Sequence, residues 1–420
     1  VSLGAPPGPP RTATPARPRP RETWLGWLDS PLTSYYLVLA TTVALVVIGL
    51  VMVLSSSSVE AYRQTRSSYS VFARQAGFAA LGVPLMALAC RLPVRAWKAL
   101  AWPLMIVAVG GLLLVFSPLG VVVNGNRNWV AIGSLTVQPA EAAKLGLVVW
   151  AAAVLARKQR LLNRTIHVLV PVVVPGAVIL LGLVLAGRDL GTGLVLMALT
   201  TSLLYAAGAP IRVFVLSGGV AAAAVTLMVE GSTNRMSRIA AWLGGGQCDY
   251  LSTCWQSVHA KWALASGGWW GVGLGASREK WSWLPEAHND FIFAIIGEEL
   301  GLTGSLVVLG LFAALALGLL RVVVRSEDLF VKIATGGVFT WVIGQAVINV
   351  GAVLGLLPVV GVPLPLVSSG GSALVSTMVA LGMVIGFARR EPGAAKALAA
   401  RSGRLRRTLA VLPARRGRGR

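Results

Sequence analysis

The chain has 420 residues, 55% of them hydrophobic and 12% charged, with 37 Lys and Arg against 15 Asp and Glu for a formal charge of +22. So apolar a chain cannot fold as a water-soluble domain without exposing a large hydrophobic surface, which points to a polytopic membrane protein. The positive charge does not point to nucleic acid: Lys and Arg crowd into the tails and into short loops between apolar runs, and no nucleic-acid-binding fold or basic recognition helix is present.

Residues 1–34, low in complexity from Val1 to Pro20, hold too little apolar area to offset chain entropy and are expected to be a disordered basic tail. No cleaved leader is expected, because the first apolar run, about 35–54, is long enough to span and stay. Further runs near 76–92, 99–119, 139–156, 166–186, 191–208, 211–229, 293–320, 330–356 and 371–388 predict an all-α fold of about ten transmembrane helices over 35–389. A basic C-terminal tail follows over 390–420. Arg91, Arg95, Lys98, Arg157, Lys158, Arg160, Arg164, Arg212, Arg321, Arg325 and Lys332 then fall on one side together with both tails, which makes that side the cytoplasm. Both tails would also favour anionic membrane lipids.

The other side receives loops near 55–75, 120–138, 187–190, 230–290 and 357–370. The long extracytoplasmic loop between helices 7 and 8 carries Trp242, Trp255, Trp262, Trp269, Trp270, Trp281 and Trp283. That content suits short helices in the headgroup region or a plain anchoring belt. In the same loop Cys248 and Cys254 are spaced for a small disulfide ring, which an oxidising exterior would permit.

Three clusters carry potential chemistry. LPEAHNDFIFAIIGEELG, Leu284 to Gly301, sets Glu286, His288 and Asp290 just before an apolar run and Glu298 and Glu299 within it. Ionisable groups in such places are costly and usually functional. If that segment is helical, Glu286 and Asp290 share a face, and two neighbouring acids push their pKa values apart. Asp290 is equally readable as a helix N-terminal acid, and Glu298 and Glu299 as internally paired groups. The second cluster, NGNRNW and QPAEAAKL, places Arg127 in an outer loop and Glu141 and Lys144 one turn apart, suited to a pyrophosphate or to an internal ion pair. The third runs from Gln345 and Asn349 to Ser368, Ser369 and Ser372, where Pro and Gly break the helix and irregular backbone is expected to line a cavity. No phosphate-binding P-loop, HExxH or GxSxG motif occurs.

Taken together, these motifs, RDLGTG, QSVHAKWALASGGWWGVGLGAS and NVGAVLGLLPVVGVPLPLVSSGGS resemble the SEDS family (shape, elongation, division and sporulation) over about 350 residues. The wording around Asp290 is most similar to the division branch, and the composition to a high-GC, actinobacterial source. The resemblance implies an inner-membrane peptidoglycan glycosyltransferase at the division septum. It would polymerise lipid II beside a class B penicillin-binding protein and other divisome proteins, with both termini cytoplasmic.

It also matches the family's essential acid to Asp290 and its functional lysine to Lys144. The family's outer-loop arginine usually directly precedes the Trp; here Asn128 takes that place and Arg127 stands one earlier. Asn289 stands where Thr is usual, and Gly187 and Arg188 where Glu and Pro are common. The implied reaction is inverting, with Asp290 as general base on the acceptor hydroxyl. Lys144, Arg127, Lys280 and Arg235 would offset charge on the departing pyrophosphate, and Glu286, His288, Gln345, Asn349, Ser368 and Ser369 would line the substrate site. No cofactor is certain; a divalent cation, Mg or Mn, is a candidate without a visible ligand set. The rival readings are a lipid II flippase, served by Glu298 and Glu299, and a division scaffold.

Overall fold

A computed structural model describes residues 30–394, apart from 31, 124, 134, 163–164, 282, 392 and most of 231–253. Its helices are α1 (Thr33–Thr65), α2 (Ser70–Arg91), α3 (Val94–Leu114), α4 (Pro139–Arg157), α5 (Thr165–Val168), α6 (Val178–Ala186), α7 (Leu190–Ala206), α8 (Ile211–Glu230), α9 (Trp255–Gly267), α10 (Ile292–Arg325), α11 (Leu329–Val353) and α12 (Gly371–Ala388). The segment Leu169–Ala177 joins α5 to α6 in wide π-type turns broken at Val170 and Val174. Among the described residues, eight helical stretches are long and apolar enough to cross a membrane, and Leu190–Ala206 and Ile211–Val220 are apolar but shorter.

These helices form because a chain crossing lipid must satisfy every backbone N–H and C=O internally. Packing decides their order from the centre outward. α4, α12 and α11 are the most enclosed of the candidate spans, and α4 and α11 bury Trp150 and Trp341. α2 and α12 approach closely through small residues: a Cβ on Gly382 or Gly386 would come 2.5 and 2.6 Å from the carbonyl oxygens of Met86 and Cys90. Such spacing of small residues lets two backbones meet without side chains between them.

Three features differ from the sequence expectation. α1 continues to Thr65, five residues short of α2, so most of the expected 55–75 loop is helix. The 120–138 loop holds a three-stranded antiparallel meander, β1 (Gly120–Val123), β2 (Asn126–Ile132) and β3 (Leu135–Val137), so the fold is not purely helical. Gly125 and Gly133 turn its strands at φ 79° and 64°, conformations that glycine adopts without steric cost. Finally, α10 is broken at Gly301, with φ 69° and ψ −167°. The part after the break has about 36 Å of helix, enough for a ~30 Å hydrocarbon core. The part before it, from Ile292, is buried through Glu299. Backbone freed at the break is satisfied by the turn after α9: Leu302 N donates to Gly268 O, Val272 N to Glu298 O and Gly273 N to Glu299 O, at 2.9–3.0 Å.

The basic helix ends gather at one end of the bundle. There Lys98 pairs with Asp328 at 2.8 Å, and Arg390 donates to the carbonyls of Arg91 and Leu92. The meander, the start of α7, the turns before α10 and the 358–370 segment meet at the opposite end.

Candidate active site

A cavity of about 900 Å³ opens at that opposite end. Its wall includes Asn128, Lys144, Arg188, Glu286, Asp290 and Ser369. Asp290 sits in a run of turns, with α10 beginning only at Ile292 and Glu286 in the left-handed region at φ 57°. The two carboxylates therefore do not share a helix face; they reach the same cavity from a folded loop instead.

That loop is held by its neighbours' polar side chains. Asn349 Nδ2 donates to Asp290 O at 2.7 Å and to Val362 O at 2.8 Å. Ser368 Oγ donates to Asn289 O at 2.6 Å and accepts from Leu364 N. Ser369 N donates to His288 O at 2.9 Å. Gln75 of α2 accepts from Gly370 N and donates to Ser368 O, a role the sequence did not announce. A Cβ on Gly361 would come 3.5 Å from Asp290 Oδ2, so bare backbone flanks the carboxylate on that side.

The other wall is built by α4, the meander and the start of α7. Lys144 Nζ lies 2.7 Å from Glu141 Oε1 and 3.2 Å from Gln345 Oε1, and 5.2 Å above the Trp341 ring. Gln345 donates onward to Pro363 O at 3.1 Å, which links the lysine to the loop beside Asp290. Asp189 caps α7 through Thr192 N and collects Asn128 Nδ2, Gln138 Nε2 and Thr192 Oγ1 on one oxygen, each at 2.9 Å. These four donors tie β2, the approach to α4 and the first turn of α7 to one buried side chain.

Known proteins place this architecture. The cell cycle protein family model of FtsW, RodA and SpoVE matches residues 35–392. The chain belongs to the FtsW/RodA/SpoVE family. It is 38% identical to a Mycobacterium tuberculosis protein named a probable peptidoglycan glycosyltransferase FtsW, over 94% of this chain and 75% of that one. A chain from a solved peptidoglycan synthase complex, described as coordinating polymerisation and crosslinking, is similar at TM-score 0.68 and 27% identity, covering 84% of this chain and 96% of that one. Thermus thermophilus RodA is similar at TM-score 0.62 and 26% identity, over 85% and 97%.

Within this FtsW/RodA/SpoVE member, the residues expected at the site divide. Asp290, Glu286, Lys144, Gln345 and Ser369 line the cavity. Asn349 and Ser368 do not line it; they are buried and spend their hydrogen bonds on loop backbone. His288 is also outside the wall, with Nδ1 3.5 Å from Glu60 of α1. Arg127 is a correction: its Nη2 donates to Phe116 O and Ser117 O, because alternation along β2 sends it away from the cavity while Asn128 faces in. Lys280 is another. It is buried, 3.2 Å from Glu299 Oε1, and bonded to the carbonyls of Ser55 and Gly275.

Glu298 and Glu299 take the internal role, accepting from Ser277 Oγ, Arg278 N and Ser55 Oγ. Arg235 lies outside the described residues, as does Cys248; Cys254 is disulfide-bonded and Cys90 is a free thiol. Among the described residues no group of three or more His, Cys, Asp or Glu assembles. Asp189, Asn128, Gln138 and Arg188 were missed as wall residues because their proximity depends on the meander, which the helical reading did not contain.

Proposed function

We propose that this chain is the division-type peptidoglycan glycosyltransferase of its cell, polymerising lipid II at the outer face of the cytoplasmic membrane at the septum, with both termini inside. The observation that carries the reading is the convergence of Asp290, Glu286 and Lys144 on one large cavity, at the end of the bundle away from its basic helix termini. The positive-inside rule makes that end the exterior.

In the reaction, the acceptor sugar's 4-hydroxyl attacks the anomeric carbon of the donor. The new C–O bond forms as the bond to the lipid pyrophosphate breaks, and Asp290 takes the hydroxyl proton. Inversion follows from a single displacement. The bond from Asn349 fixes the backbone of Asp290 and the bare flank at Gly361 leaves room beside its carboxylate, while Lys144, braced by Glu141, Gln345 and Trp341, supplies fixed positive charge where negative charge grows on the leaving group. The solved relative described as a peptidoglycan synthase complex supports a class B penicillin-binding protein as the partner. Helical faces exposed at Leu306, Val307 and Leu317 leave room for polyprenyl tails or lipid alongside the bundle.

The test is reconstitution of the purified chain, with its penicillin-binding partner, on labelled lipid II. Glycan polymer is expected, and Asp290→Asn should lower the rate by about 100-fold or more, the usual scale of general-base assistance. Full activity in Asp290→Asn would overturn the assignment, and lipid II translocation without polymer would favour a flippase.

A further inference from the structure

Among the described residues, the cavity wall carries two basic side chains, Lys144 and Arg188, against four carboxylates, Glu141, Asp189, Glu286 and Asp290. An anionic substrate group entering so acidic a space must settle beside the cations. Lys144 is only 1% exposed. Arg188, by contrast, is exposed on the wall.

Its backbone is also unusual. Arg188 has φ 63°, in the left-handed region that a non-glycine residue enters only at a steric cost. Such strain persists only where the surroundings enforce it, and it clusters at functional sites. The enforcement here is visible on both sides. Arg127 N donates to Gly187 O at 2.9 Å, a Cβ on Gly187 would come 2.5 Å from Arg127 O, and Asp189 is fixed by four donors. A few residues on, a Cβ at Gly191 would come 2.7 Å from Val360 O, so this turn abuts the same 360–362 backbone that flanks Asp290. The strained turn thus sets an arginine on the cavity wall, next to the backbone that also flanks Asp290.

We propose that Arg188 is the residue that grips the donor's pyrophosphate, holding the leaving group while Asp290 works on the acceptor. The assignment rests on the glycosyltransferase reading for its substrate and adds a specific residue to it. A guanidinium offers two parallel donors to phosphate oxygens, a geometry an ammonium cannot copy.

The experiment is binding of a polyprenyl pyrophosphate, which carries the anion but no sugar, to the full chain in detergent, with polyprenyl alcohol as control. Because nothing turns over, the result stands whether or not polymer is formed, and failure of the polymerase assay alone would strike the broader reading instead. Arg188→Gly removes the side chain and relieves the backbone strain together. It should bind the pyrophosphate about tenfold more weakly, on the scale of a lost charged hydrogen bond, while unfolding at a higher temperature than wild type. Arg188→Lys should recover part of the affinity, and the alcohol should bind all three proteins alike. Unchanged pyrophosphate affinity in Arg188→Gly, or an equal loss for the alcohol, would overturn the proposal.

Discussion

Asp189 shows how much of this site depends on hydrogen bonds made within its own wall. Its carboxylate joins β2, the approach to α4 and the first turn of α7, and Asp189→Asn would replace an acceptor oxygen by an NH2 group facing existing donors. We expect a loss of about 2–3 kcal/mol in stability, the scale of breaking hydrogen bonds to a buried charge. Polymerase activity should fall with it as Asn128 and Gln138 drift from the wall. Thermal unfolding in detergent and a lipid II assay measure the two effects separately.

The Glu141 and Lys144 pair makes a sharper case. Both are almost wholly buried, 2.7 Å apart, and Lys144→Met would strand Glu141, at a cost of about 3–5 kcal/mol. Adding Glu141→Gln should restore most of the stability without restoring activity, which a double-mutant cycle followed by unfolding and by turnover will show. The sequence made this pair legible because its offset of three is a helical contact. Arg127 and Lys280 were misassigned for the opposite reason, since their partners lie on no shared helix: Phe116 and Ser117 for one, Ser55, Gly275 and Glu299 for the other.

At the scale of elements, the apolar runs were readable because membrane-spanning length is written directly in hydropathy. The breaks were not. Gly301 follows Glu298 and Glu299 in a stretch whose hydropathy otherwise runs on as one helix, and only the structure reveals that the chain turns there and that the 268–273 segment satisfies the opened backbone. A Cβ at Gly301 would come 2.6 Å from Trp269 O, and its φ and ψ belong to a region open essentially to glycine alone. Gly301→Ala should therefore destabilise the protein by about 2–3 kcal/mol. It should also loosen the turn after α9, seen as faster hydrogen exchange at Val272 and Gly273 than at sites in α4. The meander was missed although the dipeptide Asn-Gly stood in plain view in the sequence, because a helical frame had already claimed the chain.

Across the whole molecule, chemistry and closure occupy opposite ends. The cavity end is made of turns and strands held by side chains, whereas the basic end ties the two extremes of the bundle together. There Ser34 Oγ of α1 donates to Glu391 Oε2 at 3.2 Å, across 357 residues of chain. This closure could not be read from sequence, because nothing local links a serine at the first helix to a glutamate beyond the last.

Glu391 lies outside the spanning segments, and burial raises its pKa above the ordinary 4.5, with the Ser34 hydrogen bond and the charges of Arg325 and Arg321 opposing only part of that rise. The folded state thus prefers the protonated acid more than the unfolded chain does. The resulting stability is fully present below about 4.5 and is lost as pH rises through the folded value. Measured as unfolding temperature against pH, wild type should lose stability over that acidic window relative to Glu391→Gln, whose neutral amide keeps an acceptor for Ser34 but cannot ionise. At neutral pH the variant should unfold at a somewhat higher temperature than wild type. Parallel curves for the two proteins would mean that the arginines dominate and that the closure holds its glutamate charged.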